Sequence, residues 1–422
     1  MDIIKFYGNI ITRNIHNPKS ARNLIKLGLS LEALRTKHFS DKKLPLSLQY
    51  LSNLCVKYIL EALNSHSNYG FVNLFSPSEI LHALNVPPLF VEGFSSFLCG
   101  LQCEDVFIDA SENSGISETL CSYHKAFIGS IETGVLPKPK FAITSSTLCD
   151  ANINTFRYAS SKYQIPLYII DIPYSYNKDS ELYVVEQLKE LIDMLENTLH
   201  KKLDYNNLRQ ILLNENQSKC LFKKYLKESK YKYFPSSLTI EMYKLFASHV
   251  SIGRPETLRF YELLAKDIKN SKASKATGKR FLWIHTLPFY NKHLTKYFNF
   301  NEDYQLLSCD LNFDYMENLD LDHPLNALAK KMILNNFNGS YERKIEEILK
   351  LYKETNADAV INFCQWGCKQ SNSGVSMLNK ELSRRNIPFI SIDGDGIDRR
   401  KSSCGQVKTR VEAFLEILNK QY

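Results

Sequence analysis

The chain has 422 residues, of which 44% are hydrophobic and 23% are charged. These values are typical of a globular protein that is long enough for two or more domains. The formal net charge of +8 is spread along the chain without a basic block or arm, which argues against a nucleic-acid partner.

The amino-terminal segment does not have the pattern of a signal peptide, because Lys5, Arg13 and Asn14 interrupt its apolar run. No stretch of the sequence approaches the roughly 20 apolar residues that span a bilayer. We therefore expect a cytoplasmic protein that does not bind membranes. In that compartment cysteines are expected to be buried thiols, reactive thiols or metal ligands rather than disulfides.

The first half of the chain changes from a helical to an alternating pattern. Apolar stripes at helical spacing over residues 20–68 predict an N-terminal helical region, which we place at 1–70. A short strand "YGFVNLF", a helix "SEILHALN" and a further extended run "PPLFVEGF" follow. After residue 136 the strand "PKFAITSS", the helix "CDANINTFRYASSKY" and the strand "IPLYIIDIP" are predicted. These elements define a first α/β domain at 71–177.

Residues 178–275 are predicted to be mostly helical, and the polar stretch "NSKASKATGKR" at 270–280 is the predicted linker. A second α/β domain is placed at 276–422. Its predicted strands are "RFLWIHTLP", "QLLSCDLNF", "DAVINFC" and "IPFISIDGD", and its final helix is "GQVKTRVEAFLEILNKQ". Apolar strands that alternate with helices predict parallel sheets with helices on both faces.

The two α/β regions share one order of elements: an apolar strand, a cysteine at its end, a helix, and then a strand that starts with Ile-Pro. We therefore predict two related Rossmann-like, doubly wound domains, with helical insertions. Cys149 and Cys368 occupy the corresponding positions at the carboxyl ends of strands. Ligands bind at that end of open α/β sheets.

The spacing of the cysteines does not match a local metal motif. Cys364 and Cys368 have three residues between them, as do Cys99 and Cys103, whereas zinc sites usually use closer pairs. Ser371 stands where a C-x3-C-x2-C iron–sulfur motif needs its third cysteine. Any iron–sulfur cluster must therefore be assembled from cysteines that are distant in sequence.

Individual cysteines differ in their surroundings. Cys55, Cys220 and Cys309 lie within helical or strand patterns and are predicted to be buried packing residues. Three others lie beside polar residues at element boundaries, where metal ligation and packing both remain open: Cys121, Cys149 and Cys368.

Several segments resemble the 2-hydroxyacyl-CoA dehydratase D-component family, which includes benzoyl-CoA reductase subunits. They are "ETLCSYHKAFIGSIETGVLPKPKFAITSSTLCDANINTFRYA", "INFCQWGCKQS" and "IDGDGIDRRKSSCGQVKTRVEAFLEIL". The resemblance runs from about Phe75 to the C-terminus. It implies that three cysteines hold an iron–sulfur cluster between two α/β domains, and they map to Cys121, Cys149 and Cys368.

The sequence looks closest to the double-cubane branch of that family. This likeness implies a homodimer with two joined cubanes (8Fe–9S), which need about six thiolates. The further cysteines near the family motifs are Cys103, Cys364 and Cys404, with Cys99 as a substitute for Cys103. Candidate catalytic residues are His124 and Lys125, for protons or anions, and Glu79, which matches a helix-start carboxylate of the dehydratases. Ordinary structural roles for all three remain open.

The implied activity is reduction of small molecules by an iron–sulfur enzyme. Its low-potential electrons would come from an ATP-hydrolysing iron–sulfur activator, and this sequence itself contains no P-loop. One alternative is a 2-hydroxyacyl-CoA dehydratase subunit with a single 4Fe–4S cluster and a second, different subunit. Another is a non-catalytic iron–sulfur binding protein.

Overall fold

The structure is a computed structural model that describes residues 2–42, 44–271, 278–402 and 404–420. Two sequence predictions fall partly outside this range. Residues 272–277, the centre of the predicted linker and the predicted domain boundary, lie outside the described residues, and so does the side chain of Cys404.

The described residues form two four-stranded sheets. The strands are β1 Gly70–Val72, β2 Pro88–Phe90, β3 Phe141–Ser145, β4 Leu167–Ile170, β5 Lys279–Ile284, β6 Tyr304–Cys309, β7 Ala359–Gln365 and β8 Phe389–Gly394. The sheet orders are β2-β1-β3-β4 and β6-β5-β7-β8, and every neighbouring pair is parallel. The predicted α/β architecture with two related parallel-sheet domains is therefore confirmed.

Helices surround and connect these sheets. Before the first sheet lie α1 Ile3–Arg13, α2 Pro18–His38 and α3 Leu46–Asn64. Around it lie α4 Ser78–Ala83, α5 Val91–Gly100, α6 Glu104–Asn113, α7 Ser122–Glu132 and α8 Asp150–Tyr163. Between the sheets run α9 Lys178–Leu199, α10 Tyr205–Ser229, α11 Leu238–Leu245, a π-helical turn Phe246–Val250, and α12 Pro255–Asn270.

The second sheet carries α13 Lys292–Phe298, α14 Pro324–Ile333, α15 Tyr341–Thr355, α16 Lys369–Asn372, α17 Val375–Arg384 and α18 Cys404–Lys420. Short 3₁₀ turns occupy Asp310–Phe313 and Arg399–Lys401. Within the part of the chain that is described, none of the helices has the length and apolar character that crossing a bilayer requires.

One predicted element was too long. The extended run "PPLFVEGF" ends at Phe90, and Val91 already begins α5. The reason is that Val91, Phe94 and Leu98 recur at helical spacing and are all buried on α5. The early end of β2 places Glu92 in the first turn of a helix instead of in a strand.

Both sheets reverse their direction of winding at their central pair of strands, β1 and β3 in one and β5 and β7 in the other. Such a switch point leaves a crevice beyond the carboxyl ends of the two strands. Segments that follow all four of these strands line one common cavity. The fold thus brings the switch points of the two domains to face each other.

Candidate functional site

The cavity between the two switch points has a volume of about 90 Å³. This is several times the volume of ~10–15 Å³ that a single water molecule requires. Its wall includes Leu74 after β1, Cys149 after β3, His285 after β5 and Cys368 after β7. Residues that are far apart in the sequence therefore meet at one place.

Cys121, Cys149 and Cys368 all line this cavity. Each is the residue immediately before a helix, which is α7, α8 and α16 respectively. Backbone N–H groups at the start of two of those helices donate to the sulfurs. The N–H of Tyr123 donates to Cys121, and the N–H groups of Ala151 and Asn152 donate to Cys149. Amides aimed at sulfur favour the thiolate, which is the form that binds metal.

The surroundings of Cys121 and Cys149 raise the pKa values of these two thiols. Burial raises the pKa of Cys121 well above its usual value, and the nearby Cys368, Asp395 and Cys149 add to this effect. Burial, together with Cys368, raises the pKa of Cys149 to about 12. The three thiols thus act on one another, and a metal that binds them must release their protons.

The loop that carries Cys368 fits closely against the segment before α7. Gly367 has φ +73°, and a Cβ added there would lie 2.5 Å from the Thr119 carbonyl oxygen and 2.6 Å from the Cys121 nitrogen. A glycine is therefore required by both the backbone conformation and the space. Its close approach joins the second domain's cysteine to the first domain's cysteine segment.

A second contact joins the same two segments. Ser122 donates a hydrogen bond from Oγ to Asp395 Oδ2 at 2.5 Å. Asp395 belongs to the "DGDGIDRR" segment after β8, and its Oδ1 accepts from the backbone of Ile397 and Asp398 at 2.9 and 2.8 Å. The acidic turn thus anchors the first turn of α7 and the cysteine that precedes it.

Apolar side chains form most of the remaining wall, among them Leu245 and the aromatic rings of Phe90 and Phe246. Phe246 is also the first residue of the π-helical turn Phe246–Val250. Turns of this kind are frequent at functional sites. An apolar wall lowers the local dielectric and strengthens every electrostatic interaction at the thiols.

His124 lines the cavity, as expected for a residue of the site, but Lys125 does not. Burial lowers the pKa of His124 to about 4, so its ring is neutral at pH 7, and Nδ1 lies 2.9 Å from Thr155 Oγ1. Lys125 Nζ donates to Glu112 Oε1 at 2.6 Å and to the Glu118 carbonyl at 2.9 Å. Consecutive residues of a helix point about 100° apart, so only one of the two reaches the cavity.

Glu79 lies beside a smaller cavity of about 20 Å³ that shares Leu74 with the first. Lys331 Nζ bridges Glu79 Oε1 at 2.6 Å and Glu215 Oε1 at 2.8 Å. Burial raises the pKa of the Glu79 carboxyl, and the Lys331 ammonium only partly offsets this effect. Glu79 is therefore part of a buried ion-pair network between the domains, one step away from the thiols.

The structure places Cys103, Cys364 and Cys99 away from the cavity wall. Cys103 Sγ lies 3.6 Å from the Leu98 carbonyl, and Cys99 Sγ lies 3.3 Å from the Ile397 carbonyl. Cys364 Sγ lies 3.0 Å from Ser391 Oγ. Because Gln365 lines the cavity and successive strand residues face opposite ways, Cys364 is on the other face of the sheet.

The remaining cysteines are peripheral to this arrangement. Cys55 and Cys309 are buried as predicted, but the prediction for Cys220 was wrong, because this residue is exposed on α10. The buried face of α10 passes through Leu212, Glu215 and Phe222 instead. All nine cysteines with described side chains are free thiols.

Glu92 and His285 are among the residues of the cavity wall that were not predicted as functional. Glu92 is half-buried, its Oε2 is buried without a hydrogen-bond partner among the described residues, and desolvation raises its pKa to about 7. His285 Nε2 lies 3.8 Å from Cys368 Sγ. A signal for His285 existed, since "WIHTLP" puts a histidine at a strand end; Glu92 carried none.

An iron–sulfur cluster fits this donor set. Two buried thiols and the half-buried thiol of Cys149 line an apolar cavity, and backbone amides point at two of the three. No three His, Cys, Asp or Glu groups among the described residues are placed to hold a single metal ion. A cluster of several irons requires a wider spacing of its ligand sulfurs, because each sulfur binds a different iron.

Comparisons with known proteins agree with this site. The chain is 25% identical over 406 residues to the (R)-phenyllactyl-CoA dehydratase alpha subunit of Clostridium sporogenes, covering 91% of this chain and 98% of that one. It is 22% identical to the lactoyl-CoA dehydratase subunit alpha of Anaerotignum propionicum, covering 81% and 89%. It is 24% identical to a benzoyl-CoA reductase subunit of Thauera aromatica, covering 76% and 81%.

The family described as 2-hydroxyglutaryl-CoA dehydratase, D-component, matches residues 73–418, which include every described strand except β1 and all three cavity cysteines. The match leaves out α1, α2 and α3, the helices that precede the first sheet. The chain therefore belongs to the 2-hydroxyglutaryl-CoA dehydratase D-component family.

Proposed function

We propose that this chain is the cluster-binding subunit of a radical enzyme that removes water from a 2-hydroxyacyl-CoA. The observation that carries the proposal is the convergence of Cys121, Cys149 and Cys368 on one apolar cavity. The relatives named as dehydratase alpha subunits support the choice of reaction class.

In this proposal the three cysteines hold one 4Fe–4S cluster. When bound, such a cluster supplies single electrons at low potential. Three thiolates leave one of its four irons without a cysteine ligand. The chain contributes the thiolates, the N–H groups of Tyr123, Ala151 and Asn152 that stabilise them, and the apolar wall that excludes water.

Loss of a hydroxyl group as water also requires a proton donor. Glu92 is suited to this task, because its unpartnered Oε2 belongs to a residue of the cavity wall. With a pKa raised to about 7 by burial, it both holds and releases a proton near neutral pH. His124 is neutral and can accept or donate a hydrogen bond without carrying charge into the cavity.

The proposal includes partners. An ATP-hydrolysing iron–sulfur activator would supply the electrons, since the sequence has no P-loop of its own. A second, different subunit would complete the dehydratase, as the names "alpha subunit" and "subunit alpha" of the relatives suggest. Oxygen-sensitive chemistry of this kind requires the reducing cytoplasm of an anaerobic cell.

The second candidate is the one that the sequence favours: a homodimeric double-cubane protein that reduces small molecules. The count of cysteines near the family motifs supports it. In the described residues, however, Cys103 and Cys364 do not line the cavity. A double cubane at this place would require the strand end that carries Cys364 to rearrange.

Iron analysis of anaerobically purified, reconstituted protein tests both candidates. The dehydratase proposal expects about four irons per chain, whereas the double cubane expects about eight. Serine variants of Cys121, Cys149 and Cys368 should each lose most of the iron. Cys364→Ser should leave the iron unchanged, with Cys55→Ser as a control for buried thiols; loss of about half the iron in Cys364→Ser would favour the double cubane.

A reduction assay tests enzymatic competence. Protein with bound iron that a family activator and ATP reduce would support an enzyme. If it resists such reduction although chemical reductants act on it, the chain is a non-catalytic iron–sulfur protein and the proposed function is wrong.

A further inference from the structure

His285 has a left-handed backbone conformation at the end of a strand. It follows β5 directly and has φ +70°, in the left-handed region that favours glycine. Histidine adopts this region more often than most residues do, but non-glycine residues there are still uncommon, and they cluster at functional sites.

Neighbouring groups hold His285 in this conformation. The His285 N–H donates to Asp310 Oδ1 at 2.7 Å, and its carbonyl accepts from Cys309 Sγ at 3.0 Å. The Trp283 indole donates to the next carbonyl, that of Thr286, at 2.8 Å. Residues from β5 and the end of β6 therefore fix the backbone on both sides of the imidazole.

The side chain that is held in this way points at a thiol of the site. His285 Nε2 lies 3.8 Å from Cys368 Sγ, and the residue is buried in the cavity wall. Its other ring nitrogen, Nδ1, is buried and has no partner in the part of the chain that the structure describes.

The geometry points to His285 as a positioning residue that donates a hydrogen bond from Nε2 to the Cys368 thiolate and thereby sets the reduction potential of the bound cluster. This inference rests on the proposed function, since it requires a cluster at Cys368. A proton on Nε2 faces the Cys368 sulfur as the acceptor within reach, whereas Nδ1 has no acceptor among the described residues.

The sign of the effect follows from electrostatics. An N–H directed at a ligand sulfur stabilises negative charge on the cluster, and the reduced form carries more of it. Loss of the donor should therefore make the midpoint potential more negative. His285 is the imidazole that contacts a cavity cysteine, whereas His124 contacts Thr155 instead.

An EPR-monitored redox titration of the reconstituted chain tests the inference. We expect His285→Leu to retain iron and to have a more negative midpoint potential than the wild type. His285→Gln, which keeps an N–H donor at a similar reach, should restore most of the wild-type potential. His82→Gln is the control, because His82 is also buried but its Nε2 contacts the Val250 carbonyl at 2.8 Å.

The outcomes separate this inference from the proposed function. Wild-type protein that binds no iron would overturn both. Iron in the wild type with equal potentials in wild type and His285→Leu would overturn the inference alone. If His285→Leu loses its iron, His285→Gln decides: a wild-type potential supports the inference, and a potential displaced from wild type overturns it.

Discussion

The two sheets have the same strand order and present a cysteine in the same way, after the third strand in chain order. In each case a residue with positive φ precedes the cysteine and a helix follows it: Leu148 at +78° before Cys149, and Gly367 at +73° before Cys368. The domains thus share a backbone device for turning a thiol towards the opposite domain.

The residues after the first strand differ. Asn73 follows β1, and its Oδ1 accepts a local hydrogen bond from Ser76, whereas His285 follows β5 and points at Cys368. The first domain also supplies Cys121. The second domain contributes only Cys368 to the three cavity thiols, so it has no counterpart of Cys121 there. The repeated strand order therefore supplies two thiols, Cys149 and Cys368, while Cys121 and His285, which each occur in one domain only, complete the site.

Lys331→Met should have the largest effect, because it breaks the ionic link between the two domains. Lys331 bridges Glu79 of the first domain and Glu215 of α10 while it is itself mostly buried. Its removal leaves Glu79 without its partner, which typically costs ~3–5 kcal/mol. Urea unfolding of the cluster-free chain at pH 7 measures this loss.

The neighbouring Lys330 provides the matched control for that substitution. It is exposed, and its Nζ lies 5.7 Å from the centre of the Tyr176 ring. Lys330→Met should change the unfolding free energy by less than about 1 kcal/mol. Equal losses in the two variants would show that the Glu79–Lys331 contact does not join the domains.

Gly367→Ala should disrupt the second domain's cysteine turn. The added Cβ would lie 2.5 Å from the Thr119 carbonyl oxygen, and the residue would keep a positive φ. Overpacking and the left-handed conformation together should cost about 3 kcal/mol. The unfolding free energy and the iron content should both fall; unchanged iron would show that the two cysteine segments do not need this close approach.

Glu92→Gln should change the pH dependence of stability, because one oxygen of this carboxyl in the first domain, Oε2, is buried without a partner among the described residues. Its pKa rises to about 7 in the folded chain from the ordinary value of 4.5, so the folded state holds the proton more tightly. The contribution of this group to the free energy of unfolding is fully present below about pH 4.5 and is lost as pH rises through about 7. The loss amounts to up to about 3 kcal/mol.

Urea unfolding of the cluster-free chain from pH 5 to 8 checks this expectation. Glu92→Gln should make the decline between about pH 5 and 7 smaller than in the wild type, while Glu79 and Glu104, whose pKa values burial also raises to about 7, account for the part that remains. Glu61→Gln serves as the control, since Glu61 is exposed and pairs with Arg254 at the surface. A decline that persists unchanged in Glu92→Gln would contradict the burial argument.

The sequence was sufficient to predict the strands and to place Cys149 and Cys368 at strand ends, but not to predict the direction of every side chain. Cys149 and Cys368 could be placed because carboxyl ends of parallel strands meet at one edge of a sheet. Cys364 could not, since a strand that is buried on both faces lacks the alternation that reveals which residues face together.

The sequence patterns also did not predict the backbone conformation of single residues. The glycine before Cys368 indicates a turn, but leucine before Cys149 does not, although both have positive φ. Likewise, the left-handed conformation of His285 depends on Asp310 and Cys309, which come from the neighbouring strand and the turn after it. Tertiary contacts decide these positions, and local preferences oppose them.

Leu148→Gly should have the smallest effect and is the direct counterpart of Gly367→Ala. Glycine relieves the strain of φ +78°, which is worth ~1–2 kcal/mol, but it also gives up the packing of a half-buried side chain on the cavity wall. The greater freedom of glycine in the unfolded chain opposes the gain as well. The net change in unfolding free energy should therefore stay within about 1 kcal/mol, and iron content should be retained. A loss as large as that of Gly367→Ala would mean that the two cysteine turns are not equivalent, and that leucine contributes packing to the first turn that outweighs its strained backbone.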